Sequence, residues 1–318
     1  MRRTRVGSGV AGAAAVALAA LALSLGGCGF GPGASSSGGA QLDVTRDFGR
    51  QHFEPARLVH VHESDTVMRF LQATHRVDTR YGGGFVQSID GLAGNRSAQV
   101  DWFFYVNGIE SSVGAADFTL SPGDRVQWDL HSWKATMRIP GIVGAYPEPF
   151  VHGYRGRRLP VRLECELPDG AACRETMDRL EKAGVVVTGA TLGTAGDQSV
   201  ARVVVARWQA IRRLEAASPL TRAPSESGVF ARFAGPSGTT LDLLDANGGV
   251  ARAAPPGTGL VVARVPSGKN VVWFVTGADD AAVARAVNAL DESKLHNAFA
   301  VAATPTGVVR LPIGAGAP

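Results

Sequence analysis

Trp102 to Gly108 reads WFFYVNG. Four aromatic side chains in succession favour an extended strand. Asn-Gly is the pair that accepts both left-handed positions of a two-residue type I′ hairpin turn. This part of the chain is therefore committed to a strand that reverses at Asn107-Gly108 and returns from Ile109. Strand alternation sends Trp102, Phe104 and Val106 to one face and Phe103 and Tyr105 to the other. One face is core. The other meets a second layer, a partner or a bound molecule.

The neighbouring pattern builds a small domain around this hairpin. Leu42-Asp43-Val44 alternates, as does Leu58 to His62. Ser64 or Asp65 can cap a helix over Thr66 to Thr74, with Val67, Phe70, Leu71 and Thr74 on one side. Tyr81-Gly82-Gly83-Gly84-Phe85 permits backbone conformations closed to other residues. Ser121-Pro122-Gly123-Asp124 suits a type II turn, and Arg125 to Leu130 places Val126, Trp128 and Leu130 on one face. A strand, a helix and several further strands over 41–135 predict an α+β domain.

Residues 136–158 contain Pro140, Pro147 and Pro149 and exclude a helix or central strand. They form a linker or wrap across a domain boundary, and Ile139, Ile142, Val143, Tyr146 and Phe150 favour a packed connector. From 159 to 318 strands and helices interleave, which predicts an α/β or α+β layered domain. The helical segments expected there are Ala171 to Ala183, Trp208 to Ala217 and Asp279 to Leu290. The strand–helix–strand units of 159–188 and 271–302 read as two weakly similar copies.

The N-terminus is a targeting segment. Arg2, Arg3 and Arg5 precede an uncharged Ala/Leu/Val-rich run from Val10 to Leu25, short for a membrane span. Leu25-Gly26-Gly27-Cys28 resembles a bacterial lipobox, which makes 1–27 a signal peptide and Cys28 the lipidated residue. The alternative is an ordinary secretory signal with Cys28 near the cut. Residues 28–40 are a Gly/Ser-rich tether. A lipid at Cys28 holds the protein on the extracytoplasmic face of the cell membrane without a spanning helix. Roughly 275 residues follow the tether, a prior for two domains.

In that compartment disulfides persist. Of three cysteines, Cys165 and Cys173 remain, late in a strand-like run and at the start of a helical one. That placement predicts a disulfide; zinc spacing is missing. The chain holds 32 Lys+Arg and 28 Asp+Glu. Without the three leader arginines the balance is 29 to 28. No basic block tracks a phosphate backbone, so nucleic acid is excluded as a partner.

No catalytic motif stands out. The glycine run of 82–84 lacks the Lys-Ser/Thr of a phosphate loop, and no Gly-x-Ser-x-Gly elbow is present. His60 and His62, with His52 or His131, are a weak metal signal that strand alternation equally produces. The reading is of a protein that is not an enzyme, with no cofactor and no metal.

The segment Val67 to Trp133 resembles the transcobalamin-like C-terminal domain family. The residues are Thr66-Val67-x-x-Phe70-Leu71, Gly84-Phe85-x-x-x-Ile89-x-Gly91, Trp102 to Gly108, Gly114-Ala115 and Gly123-Asp124-Arg125-Val126-x-Trp128. The resemblance implies a β-grasp-like fold, a mixed sheet gripping one helix. In animal cobalamin carriers a related domain closes over the corrinoid, clamped against a helical barrel that the residues before 67 have no room for here. The whole arrangement resembles an actinobacterial lipoprotein type. Two functions follow. One is binding of a small, corrinoid-like ligand at or near the domain junction, with Tyr105, Trp133, Phe103 and Trp128 as contact candidates. The other is an envelope protein-interaction or scaffold lipoprotein without a small ligand.

Overall fold

The computed structural model describes residues 38–194, 198–235 and 237–314. Cys28 lies outside the described residues. The first half contains β1 (Ala40–Arg46), β2 (Gln51–His52), β3 (Ala56–Leu58), α1 (Val67–Thr74), β4 (Val77–Arg80), β5 (Phe85–Ile89), β6 (Leu92–Ala93), β7 (Val100–Val106), β8 (Ile109–Glu110) and β9 (Arg125–Ser132). WFFYVNG forms β7 and its turn. Asn107 has φ +53° and Gly108 φ +75°, the left-handed pair that a type I′ turn needs. A Cβ at Gly108 would stand 2.6 Å from the Ile142 carbonyl oxygen, so close approach also demands glycine there.

Strand β9 is the axis of the main sheet. It pairs antiparallel with β7, Phe104 opposite Trp128, and parallel with β1, Val44 opposite Trp128. The order is β2-β1-β9-β7-β8, with β3 alongside β1. Helix α1 covers one face and buries Val67, Met68, Phe70 and Leu71 against Trp102, Val106, Val126 and Trp128. Each such side chain removed from water is worth about 1.5–3 kcal/mol. The helix is capped by Thr66, whose hydroxyl accepts from the Arg69 amide, rather than by Ser64 or Asp65. Asp65 instead accepts the His62 amide at 2.8 Å, and β3 ends at Leu58, four residues short of the expected run to His62. Strands β4, β5 and β6 form a separate antiparallel sheet.

The second half contains β10 (Val161–Cys165), α2 (Ala171–Lys182), β11 (Val187–Thr191), β12 (Ala201–Arg207), α3 (Trp208–Ile211), α4 (Pro224–Ser227), β13 (Ala231–Ala234), β14 (Thr240–Leu244), β15 (Val250–Ala253), β16 (Gly259–Arg264), β17 (Val272–Gly277), α5 (Asp280–Asn288), α6 (Glu292–Leu295), β18 (Ala300–Thr304) and β19 (Gly307–Leu311). Seven strands order as β11-β10-β12-β17-β16-β18-β19, and β13-β14-β15 is a smaller sheet. The class is α+β, as read from the sequence. All of β16, β17 and β18 is buried. Strands covered on both faces read as near-continuous apolar runs, and these do, with Arg264, Thr276 and Thr304 as the buried polar exceptions. One face meets α2 and α5 through Leu163, Val203, Val205 and Trp273. The opposite face, with Val204, Val262 and Phe274, meets Phe230, Phe233 and Leu243 and also Phe48 and Tyr105 from the first half.

Cys165 and Cys173 form a disulfide with 5.9 Å between Cα atoms, joining the end of β10 to the first turn of α2. The segment Trp208 to Ala217 is helical only over Trp208–Ile211; the chain then turns toward Pro219, which opens a short 3-10 segment. The two strand–helix–strand units differ: β10 and β11 are direct neighbours, whereas β16 lies between β17 and β18. In the proline-rich segment, Ile139, Ile142, Val143, Tyr146 and Phe150 are all buried.

The face of the main sheet turned toward the second half is polar in sequence and dry in structure. Gln127, Asp129, His131 and Thr45 are buried there. The Asp129 carboxylate accepts from the Phe48 and Gly49 amides at 3.0 and 2.8 Å and from the Thr45 hydroxyl at 2.6 Å. It also contacts Nδ1 of His131 at 2.9 Å. The His131 ring lies 4.5 Å from Phe103, 4.7 Å from Phe48 and 5.3 Å from Phe299 between centroids. Gln127 donates to the Asn297 carbonyl of the second half.

Candidate functional site

The glycine-rich turn between β4 and β5 presents an aromatic side chain to solvent. Tyr81 sits at φ +54°, followed by Gly82 at +72° and Gly83 at +95°. A Cβ on either glycine would meet nothing within 4 Å. They are there for backbone shape, which a side chain would strain. Tyr81 itself carries that strain, and strained positions of this kind gather at binding sites. Its ring is 84% exposed and stands edge-on to Phe85 at 6.1 Å.

Tyr81 and Phe85 form one wall of an open groove of about 890 Å³. Phe103, Trp133 and Met137 also line it, with Trp102 beneath. The volume falls within the range of small-molecule sites, about 300–1,000 Å³. Trp133 is held at the end of β9 by its amide, which donates to the Gln99 carbonyl at 2.8 Å. Trp102 donates its indole N–H to the Leu92 carbonyl at 3.0 Å, which ties the groove floor to β6. Tyr81, Phe85 and Met137 are among the few large apolar side chains left exposed, at 84, 38 and 57%. Isolated exposed apolar residues are ordinary, but several converging on one concavity mark a contact surface.

The polar groups of the groove are Arg80, Gln87, Asn95, Arg96, Ser97 and Asp101. Arg80 donates to Gln87. Burial pushes the Asp101 carboxyl above its ordinary range, against the hydrogen bond that it accepts from the Trp102 amide. The groove thus offers flat apolar faces with one acid and two guanidinium groups at its margin. It holds no nucleophile paired with a base.

Of the four sequence candidates, Phe103 and Trp133 come together in the groove. Tyr105 and Trp128 leave the candidate set, because both are buried outside it, at 1 and 3% exposure. Tyr105 packs on Phe299 at 5.4 Å and Trp128 on Phe104 at 4.9 Å. Burial holds the Tyr105 phenol well above its ordinary pKa. Sequence reasoning missed Tyr81, Phe85 and Met137. The signal was present in Tyr-Gly-Gly-Gly-Phe, two aromatics flanking glycines with no core face to fill. The candidate histidines are dispersed. His62 contacts Asp65, His131 is buried beside Asp129, and His52 lies against Asn297. Among the described residues no group of three or more His, Cys, Asp or Glu side chains could hold a metal ion, and no helix is long and apolar enough to cross a membrane.

Residues 64–132 match a domain of unknown function, DUF4430. The match spans α1 through β9 and so includes most of the groove. No curated protein matches the chain. Among solved structures, a candidate metal-binding protein from Ruminococcus gnavus is similar at 15% identity, over 30% of this chain and 97% of that one, with a TM-score of 0.24. Haptocorrin in complex with Cbi is similar at 14% identity, over 29% of this chain and 25% of that one, with a TM-score of 0.23.

Proposed function

We propose that this protein is a non-enzymatic lipoprotein, anchored through Cys28 on the extracytoplasmic face of the membrane, that binds a small ligand in the aromatic groove. The observation that carries the reading is the convergence of Tyr81, Phe85, Phe103, Trp133 and Met137 on one concavity. Aromatic faces and a thioether suit a flat, partly apolar molecule. The corrinoid class enters through the family resemblance of Val67 to Trp133, and with it a β-grasp-like description of the first domain. The groove is lined by residues between Arg80 and Met137 alone, so an occupant lies on the first half of the chain, with Met137 its one contact from the connector.

Titration of the protein with cobinamide, followed by calorimetry, tests the reading. Saturable binding that is lost in Tyr81→Ala and Trp133→Ala supports it. Heats no different from dilution remove the corrinoid class, and retention of full affinity in both variants removes the groove.

A second reading has its own observation. Strand β15 is an edge of its sheet and is exposed along its whole length. Exposed edges pair with partner strands, which fits an envelope interaction protein. Charged substitutions along β15 that abolish a protein complex and spare ligand binding would favour it.

A further inference from the structure

The structure assigns a second site, distinct from the aromatic groove: an anion-binding cleft between the two domains that takes a phosphate group. The cleft has a volume of about 650 Å³ and is walled by the first domain, the connector and helices α2 and α6.

Its acids are already occupied. Asp124 accepts from the Asn107 side-chain amide and the Ser121 backbone amide, both at 2.7 Å. Glu148 takes the His152 backbone amide at 2.9 Å and contacts the ring at Nδ1 at 2.6 Å. Asp291 caps α6, and Glu292 pairs with Arg125 at 2.6 Å. Every carboxylate on the wall has a fold-internal partner.

Two of the four cations on the wall are also spent, Arg125 on Glu292 and Arg179 on Glu175 and Asn288. The other two are not: Arg57 on β3 and Lys182 at the end of α2 line the cleft and have no side-chain partner among the described residues. His152 also lines the cleft; Glu148 holds it through Nδ1 and leaves Nε2 without a partner among the described residues. Its ring lies against Gly123, where a Cβ would be 2.3 Å away, so its orientation is set from both sides. Three donors from three separate elements suit a tetrahedral oxyanion, and guanidinium and ammonium groups are the usual partners of phosphate.

Two sources can deliver that group, a soluble phosphate ester or a lipid headgroup. Gly39 lines the same cleft. It is pinned there, since a Cβ on it would fall 2.0 Å from the Leu58 carbonyl oxygen. Ten residues separate it from Cys28, a reach of at most about 40 Å over the eleven steps between them. The lipid source rests on the reading of Cys28 as the anchor; the phosphate chemistry does not.

The test uses the full-length chain carrying Cys28→Ser, titrated with inorganic phosphate and separately with phosphatidylglycerol or phosphatidylcholine vesicles. Arg57→Gln and Lys182→Gln are each expected to weaken binding about tenfold with an unchanged thermal melt, because neither side chain is paired in the fold. Tyr81→Ala is expected to leave it unaltered, which separates this site from the groove. Binding of inorganic phosphate with no preference for phosphatidylglycerol assigns a soluble ester. A preference for phosphatidylglycerol that disappears in the two variants assigns a headgroup. Absence of binding to either probe, or binding that survives in the double variant, overturns the proposal.

Discussion

The two faces of the main sheet in the first half are equally dry and differently built. Toward α1 the contacts are Trp102, Val106, Val126 and Trp128, an apolar set whose sequence pattern already says core. Toward the second half stand Thr45, Gln127, Asp129 and His131, a set that reads as solvent-facing. Alternation therefore reports the two faces of a strand but not what covers them. A distant part of the chain can cover a polar face if each polar group finds a partner, and Asp129 does so through three donors and His131. Burying it without them would cost several kcal/mol.

Substitutions on the two faces test that equivalence. Trp128→Ala is expected to cost about 3–5 kcal/mol through the cavity it leaves, read as a shift in the denaturation midpoint. Asp129→Ala is expected to cost about 3 kcal/mol, because it strands the Phe48 and Gly49 amides. A cost under about 0.5 kcal/mol, typical of surface sites, would mean that the second face is not sealed. Away from both faces, Cys165→Ser with Cys173→Ser opens the short loop between β10 and α2 and is expected to cost about 2–3 kcal/mol.

The polar face also predicts a pH response. Asp47, beside the buried Asp129, is raised to about 6, and Asp124, in the cleft with Glu148, to about 6, in both cases chiefly by burial. A carboxyl raised in the folded state contributes stability fully below its unfolded pKa of 3.8 and loses it as pH rises through about 6. The melting temperature is therefore expected to be about 2–4 °C higher at pH 5 than at pH 7. Asp124→Asn should remove its share. A flat or inverted response would contradict the burial of these groups. The smallest effect belongs to Tyr105→Phe. The phenol oxygen is buried with no hydrogen-bond partner among the described residues, so its loss is expected to be neutral or slightly stabilising.

Much of the fold was legible in the residues. Asn107-Gly108, the Pro122-Gly123 turn and the apolar runs of the second half each carry a local cause that tertiary structure did not override. Strands β4, β6 and β15 were not read, because two are very short or half-exposed and β15, Val-Ala-Arg-Ala, has no apolar face. The candidate site was half legible. Phe103 and Trp133 stand out as aromatics off the core face, whereas Tyr105, on the same face as Phe103, is covered by the second half of the chain. That outcome depends on the packing of residues nearly 200 positions away, Phe299 above all. Asn107 shows the reverse case. Read as turn geometry alone, it also donates to Asp124 and to the Gly153 carbonyl and accepts from the Arg125 amide, so it locks the hairpin to the connector.

A ligand seated in the aromatic groove must lose its contacts when Tyr81 and Trp133 are truncated. Calorimetric titration of cobinamide into the wild-type protein and into Tyr81→Ala/Trp133→Ala reads that loss. Groove binding predicts saturable binding to the first and none to the second, with the stability of the variant within about 0.5 kcal/mol of wild type. Equal affinity in both proteins would contradict it.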